Sequence, residues 1–135
     1  MKHLNGCRNL LLIIFVISFL SCKNKNESVA TIYHDYSGCF ASGADTITLI
    51  KENENLFATI RSADMQFRRV KLNHQQIDTF NLFISELKKL KIESGCTTVE
   101  TYRVYYQNEL IKIRDGGCDW RGFSMLQNCL FGVSN

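Results

Sequence analysis

Three hydrophobic rhythms divide this chain of 135 residues. The first is an apolar run from Leu10 to Leu20, broken only by Ser18, with Lys2 and Arg8 ahead of it and the polar stretch Lys23-Asn24-Lys25-Asn26-Glu27 behind. The second is a two-residue alternation. Thr46–Lys51 and Leu56–Arg61 flank the polar turn Glu52-Asn53-Glu54-Asn55 and predict a hairpin. Val29–Tyr33 is apolar and β-branched, a short first strand, and His34–Gly43 then reads as a loop. Met65–Leu72 predicts a third strand, whose apolar positions change face near Arg68-Arg69 and ask for a bulge there. Thr98–Tyr106 and Glu109–Asp115 flank Gln107-Asn108 and predict a second hairpin. Pairing Tyr106 with Glu109 sets Val104 opposite Ile111 and Tyr102 opposite Ile113, which gathers one apolar face.

The third rhythm repeats every three or four residues. Ile77, Phe80, Phe83, Ile84, Leu87 and Leu90 form such a stripe and predict a helix over Asn73–Ile92, ended by Ser94-Gly95. Asn73 and Gln76 have the spacing of a capping box, in which each side chain serves the other's backbone N–H. Phe123, Leu126 and Leu130 predict a shorter closing helix from Trp120 to about Leu130, capped by Asp119. Phe131–Asn135 reads as a short docking tail. Strands on both sides of one long helix imply an α+β fold. We expect a single antiparallel sheet of five to six strands packed by that helix, plus the short C-terminal helix, in one domain over residues 29–135.

The first rhythm changes the picture most. A positive start, a short apolar core and a small residue before the cut read as a secretory signal over residues 1–21. The run is shorter than the roughly 20 residues of a spanning helix. Phe19-Leu20-Ser21-Cys22 resembles the lipobox of bacterial lipoproteins, in which the cysteine becomes the lipidated first residue. That resemblance makes Cys22 a lipidation site, residues 22–28 a tether, and the address a bacterial cell envelope, outer membrane before inner. The mature chain would face the periplasm or the cell surface. The domain's size, element order and cysteine-rich ends also resemble small envelope lipoprotein domains of the Bacteroidota. No specific motif carries this likeness, so no activity comes with it.

Composition then adjusts the reading. The formal charge of +3 falls to +1 without Lys2 and Arg8, and the only basic doublets are Arg68-Arg69 and Lys88-Lys89, so nucleic acid is not an expected partner. Setting aside Cys7 and Cys22, four cysteines remain: Cys39, Cys96, Cys118 and Cys129. In an oxidising compartment an even set reads first as two disulfides. One disulfide with two thiols is the next alternative. No pair has the close spacing of a zinc knuckle, so no metal is expected. Extending the second hairpin brings Cys96 near Cys118, and Cys39 with Cys129 follows by elimination.

Candidate chemistry is sparse. There is no Gly-x-Ser-x-Gly elbow, no His-Glu-x-x-His and no phosphate loop, so neither a catalytic residue nor a cofactor is assigned. Two binding candidates stand out. Trp120, Arg121 and Phe123 follow Gly116-Gly117 where a hairpin meets a helix, and Trp and Arg are common interface anchors. Tyr105 and Arg103 share the strand face that the helix would leave open. For the Trp120 end the competing reading is a plug over the end of the sheet. The functional expectation is a lipid-anchored, non-enzymatic binding module that meets a protein or envelope component, an inhibitor or immunity-type protein being one version. A structural accessory subunit is the alternative, and a small thiol or hydrolytic enzyme a third.

Overall fold

The computed structural model describes residues 26–62, 66–91, 95–117 and 119–132. The signal, Cys22, the start of the tether, Met65, Cys118 and the end of the tail lie outside them. Among the described residues no helix is long and apolar enough to cross a membrane.

Six strands form one antiparallel sheet: β1 (Glu27–Gly38), β2 (Ser42–Glu52), β3 (Asn55–Ser62), β4 (Arg68–Lys71), β5 (Thr98–Tyr106) and β6 (Glu109–Asp115), in the order β4-β3-β2-β1-β5-β6. Two helices, α1 (His74–Leu87) and α2 (Gly122–Phe131), join them. The alternation along each strand decides which face they cover. Ala30 and Ile32, Ile47 and Leu49, Ala58 and Ile60, and Tyr102 and Val104 point to one side and are buried. Phe80, Phe83, Ile84 and Leu87 of α1 and Phe123, Leu126, Leu130 and Phe131 of α2 complete that core. The two helices also pack on each other, and Gln76 ties them together. Its backbone N–H donates to Asn73 Oδ1 at 2.9 Å, its Oε1 accepts from the Asn73 N–H at 3.0 Å, and its amide donates to the Cys129 carbonyl at 3.1 Å.

The fold departs from the α+β expectation. It is mostly β, with two short helices of 14 and 10 residues in place of one long helix and a minor one. The stripe of α1 continues in sequence to Leu90, but the helix ends at Leu87. The Lys89 N–H turns back to Glu86 O at 2.9 Å and the Leu90 N–H to Leu87 O at 3.3 Å, the tight i→i−3 bonds of a closing turn. β1 runs through His34–Gly38, which read as loop. His34 continues the inward set of Ala30 and Ile32. β4 is four residues long and pairs with β3 in unbroken register, so no bulge falls at Arg68-Arg69. The register shift lies instead between Ser28 and Ala30 on β1. α2 begins at Gly122 with Arg121 at its N-cap and no side-chain cap bond, so Asp119 does not cap it.

The second hairpin has its expected register, whereas in the first Glu52 and Asn55, expected in a four-residue turn, belong to the strands. Glu52 pairs with Asn55 around a turn in which Asn53 has φ of 55°, and Tyr106 pairs with Glu109 around Gln107 and Asn108 at φ of 50° and 62°. In the second hairpin, positive φ at both central residues marks a two-residue turn whose twist matches the strands.

The cysteines need a second correction. Cys39 and Cys129 are free thiols, so the bridge assigned by elimination is not formed. Cys39 lies exposed in the β1–β2 turn, whereas Cys129 lies on α2 with its Sγ 3.4 Å from Thr79 Oγ1 of α1. Cys96 is disulfide-bonded, and position 118, its expected partner, lies outside the described residues. The fold is therefore not held by the expected pair of bridges. A thiol reagent added to native protein should modify Cys39 at once and Cys129 slowly, as peptide mapping would show. Neither site reacting before reduction would restore the bridge.

Candidate functional site

Two of the three residues singled out at the Trp120 end, Trp120 and Phe123, are packing residues. Phe123 is 3% exposed. Trp120 stacks on Phe83 with centroids 5.7 Å apart and meets Tyr102 edge-on at 5.3 Å. Its indole lies over Gly122, where an added Cβ would stand 2.2 Å from the ring. Trp120 thus caps the gap between α1 and the sheet and needs glycine beneath it. Arg121 alone of the three is exposed.

Tyr105 and Arg103 lie where the alternation put them, on the face that neither helix covers. Tyr105 is 51% exposed and meets Tyr33 of β1 edge-on at 6.1 Å. The Arg103 guanidinium sits 5.4 Å above the Tyr33 ring and donates to Asp35 Oδ2 at 2.9 Å. Strand register extends this group across the open face. One row runs Arg61, Thr46, Tyr33, Arg103 and Lys112 from β3 to β6. The row beside it runs Arg69, Thr59, Thr48, Thr31, Tyr105 and Leu110 from β4 to β6. Arg114 and Lys71 extend the pattern at opposite ends. Glu52 answers Arg69 at 2.5 Å and Asp35 answers Arg103, whereas Arg61, Lys71, Lys112 and Arg114 have no carboxylate partner among the described residues. Two shallow depressions open here. One of about 490 Å³ is lined by Asp35, Val99, Thr101 and Arg114, and one of about 660 Å³ lies between the start of β1 and the β5–β6 turn.

A buried polar group on the covered face was not expected at all. His34 is 6% and Asp45 8% exposed. The β1–β2 register sets them opposite each other, with His34 Nδ1 3.4 Å from Asp45 Oδ2. On the other side His34 Nε2 lies 3.3 Å from Glu100 Oε2, a close contact out of hydrogen-bond alignment. The Tyr102 hydroxyl donates to that same Glu100 oxygen, and the Gln127 amide of α2 donates to Asp45 Oδ2 at 3.3 Å. The imidazole lies between rings, with Phe123 at 4.0 Å and Tyr102 at 4.9 Å. A neutral imidazole can donate to one of the two carboxylates, an imidazolium to both. Among the described residues the side chains that meet His34 and Asp45 come from β2, β5 and α2, so the group joins β1 to all three. The signal was present in the alternation Ala30, Ile32, His34, once β1 is allowed to continue past Tyr33.

Electrostatics follow from this geometry. The His34 contact and the Tyr102 hydroxyl hold the Glu100 carboxyl below its ordinary value, against burial, which raises it. Burial, then the neighbouring Glu100, pushes the Tyr102 hydroxyl far upward. A lowered folded-state value means that Glu100 stabilises the fold above its unfolded value of 4.5 and loses that contribution as the pH falls through its folded value. Unfolding free energy should therefore drop below that pH, and Glu100→Gln should flatten the drop. An unchanged slope in the variant would assign the acid sensitivity to other carboxylates. Comparison of the chain with protein families, with curated proteins and with solved structures finds no match to any of them.

Proposed function

We propose that this chain is a lipid-anchored binding module of a bacterial cell envelope, which meets an envelope component through the open face of its sheet. The observation that carries the reading is that face. It joins the exposed Tyr33–Tyr105 pair to four cations without carboxylate partners, while the helices are spent on the core. Tyr and Arg are the side chains most often found at the energetic centres of interfaces. The address rests on the sequence alone, on Lys2 and Arg8, the apolar run and Ser21-Cys22.

Two measurements test the reading separately. Globomycin should cause the full chain to accumulate as a precursor in the producing cell, and Cys22→Ser should release it from membranes. A chain processed normally under globomycin would rule out the anchor. Tyr105→Ala with Arg103→Glu should leave the melting temperature unchanged and abolish retention of the envelope component. Retention unaffected by that pair would rule out the open face.

A further inference from the structure

The open face carries a local conflict that the fold does not need. Arg103 of β5 and Lys112 of β6 are directly opposite each other, and Arg114 follows on the same side of β6. Like charges facing across a strand pair oppose the pairing. Asp35 answers Arg103, but Lys112 and Arg114 find no carboxylate among the described residues. Arg61 and Lys71 repeat the excess on β3 and β4. On this face Asp35 and Glu52 answer only Arg103 and Arg69, and other acids lie elsewhere. Asp45 and Asp115 are buried on the covered face, and Asp78 and Glu86 are on α1. The face is therefore a cationic plane about 24 Å wide, six strands at their usual spacing.

Three features of this plane bear on what covers it. It is formed by a sheet whose depressions are shallow, so it offers a broad surface rather than a deep groove. Exposed Tyr33, Tyr105 and Leu110 are interspersed with the cations, and Tyr is a side chain suited to the boundary between water and lipid. Tyr105 and Leu110 lie at the end where β1 begins. From Cys22 to Glu27 the chain can span at most about 17 Å, so an anchored domain holds this end close to its own bilayer. A negative headgroup layer attracts basic segments only within about a Debye length, roughly 10 Å.

We infer that the open face docks on the anionic phospholipid surface of the membrane that carries the anchor, with Arg61, Lys71, Arg103, Lys112 and Arg114 facing phosphate groups and Tyr105 and Leu110 at the water–lipid boundary. This names the partner of the face proposed above and rests on that reading. The lipid chain and the basic plane then act as two signals that together fix the orientation of the domain, with both helices turned away from the bilayer.

The test uses a soluble version beginning at Lys23, whose whole buried cluster, Ala30 to Phe131, is retained. It is floated with vesicles of phosphatidylglycerol and phosphatidylethanolamine in equal parts, and with phosphatidylcholine alone. Binding is expected to the anionic vesicles only, and to fade as salt rises from about 50 mM to about 300 mM. Lys112→Glu with Arg114→Glu should weaken it by more than about tenfold. Lys89→Glu with Lys91→Glu, the same change in charge just after α1, should weaken it less than about twofold, with melting temperatures equal throughout. Equal binding to phosphatidylcholine, or equal loss in both pairs, overturns the inference. If the vesicles do not retain the protein but the Lys112/Arg114 pair costs the full chain a stoichiometric envelope protein, the lipid docking falls and the binding module stands. If neither changes, both fall.

Discussion

His34→Leu should destabilise the protein by about 2–3 kcal/mol, the upper part of the usual cost of leaving a buried polar group without its hydrogen-bond partner. Leucine fills a similar volume, so lost packing is the smaller part. The larger part is what stays behind. Among the described residues Asp45 keeps the Gln127 amide as a side-chain partner, at 3.3 Å, and is 8% exposed. Glu100 keeps the Tyr102 hydroxyl. A typical domain has only about 5–15 kcal/mol to lose, so the variant should unfold at much lower urea concentration with its m-value unchanged. Replacing both partners, His34→Leu with Asp45→Leu, should recover most of the loss, because no buried carboxylate is then left against an apolar side chain. A single variant within about 1 kcal/mol of the parent would mean that Asp45 and Glu100 find other partners or take up a proton, and that the group is not a fastening between α2 and the sheet.

Trp120→Ala is the second large effect, about 3 kcal/mol, within the range for a large aromatic removed from a packed site. Its indole fills space bounded by Phe83, Tyr102 and the backbone of Gly122. The loss opens the top of α1 to water and should appear as a lower melting temperature. Tyr105→Ala is the matched comparison. Tyr105 touches the molecule chiefly through the edge of Tyr33, and its removal should change stability by about 0.5 kcal/mol or less. The pair separates the two candidate surfaces in one experiment. A Trp120→Ala protein that melts normally but loses its partner would move the binding surface to that end of the sheet.

What was legible in the sequence was local. Gln107-Asn108 permits only a short turn, so one residue of register fixes Val104 on Ile111 and Tyr102 on Ile113. Asn73 and Gln76 are three residues apart and satisfy each other's backbone, which fixes the start of α1. Tyr105 and Arg103 on the open face follow from the same hairpin. What was not legible depends on contacts far apart in the chain. His34 is polar and follows the strand expected at Val29–Tyr33, so it reads as loop until Asp45, Glu100 and Gln127 are brought to it by β2, β5 and α2. Elimination paired Cys39 with Cys129, but elimination carries no geometry, and the fold puts one in a hairpin turn and the other against Thr79. The apolar stripe up to Leu90 gave no warning that the chain would turn at Lys88.

The position of β1 in the strand order governs the order of events as the chain is made. β1 is hydrogen-bonded on one side to β2, its neighbour in sequence, and on the other to β5, where Ala30 pairs with Tyr106. A chain made from its N-terminus can assemble β1 to β4 as a meander as soon as they emerge. Until β5 arrives, β1 has a complete row of unpaired backbone groups along one edge, twelve residues long, the kind of edge that recruits strands from other chains. The β5–β6 hairpin is the piece that closes it. Slowing translation between Lys71 and Thr98 should therefore raise aggregation, and supplying the β5–β6 hairpin as a separate peptide should suppress it.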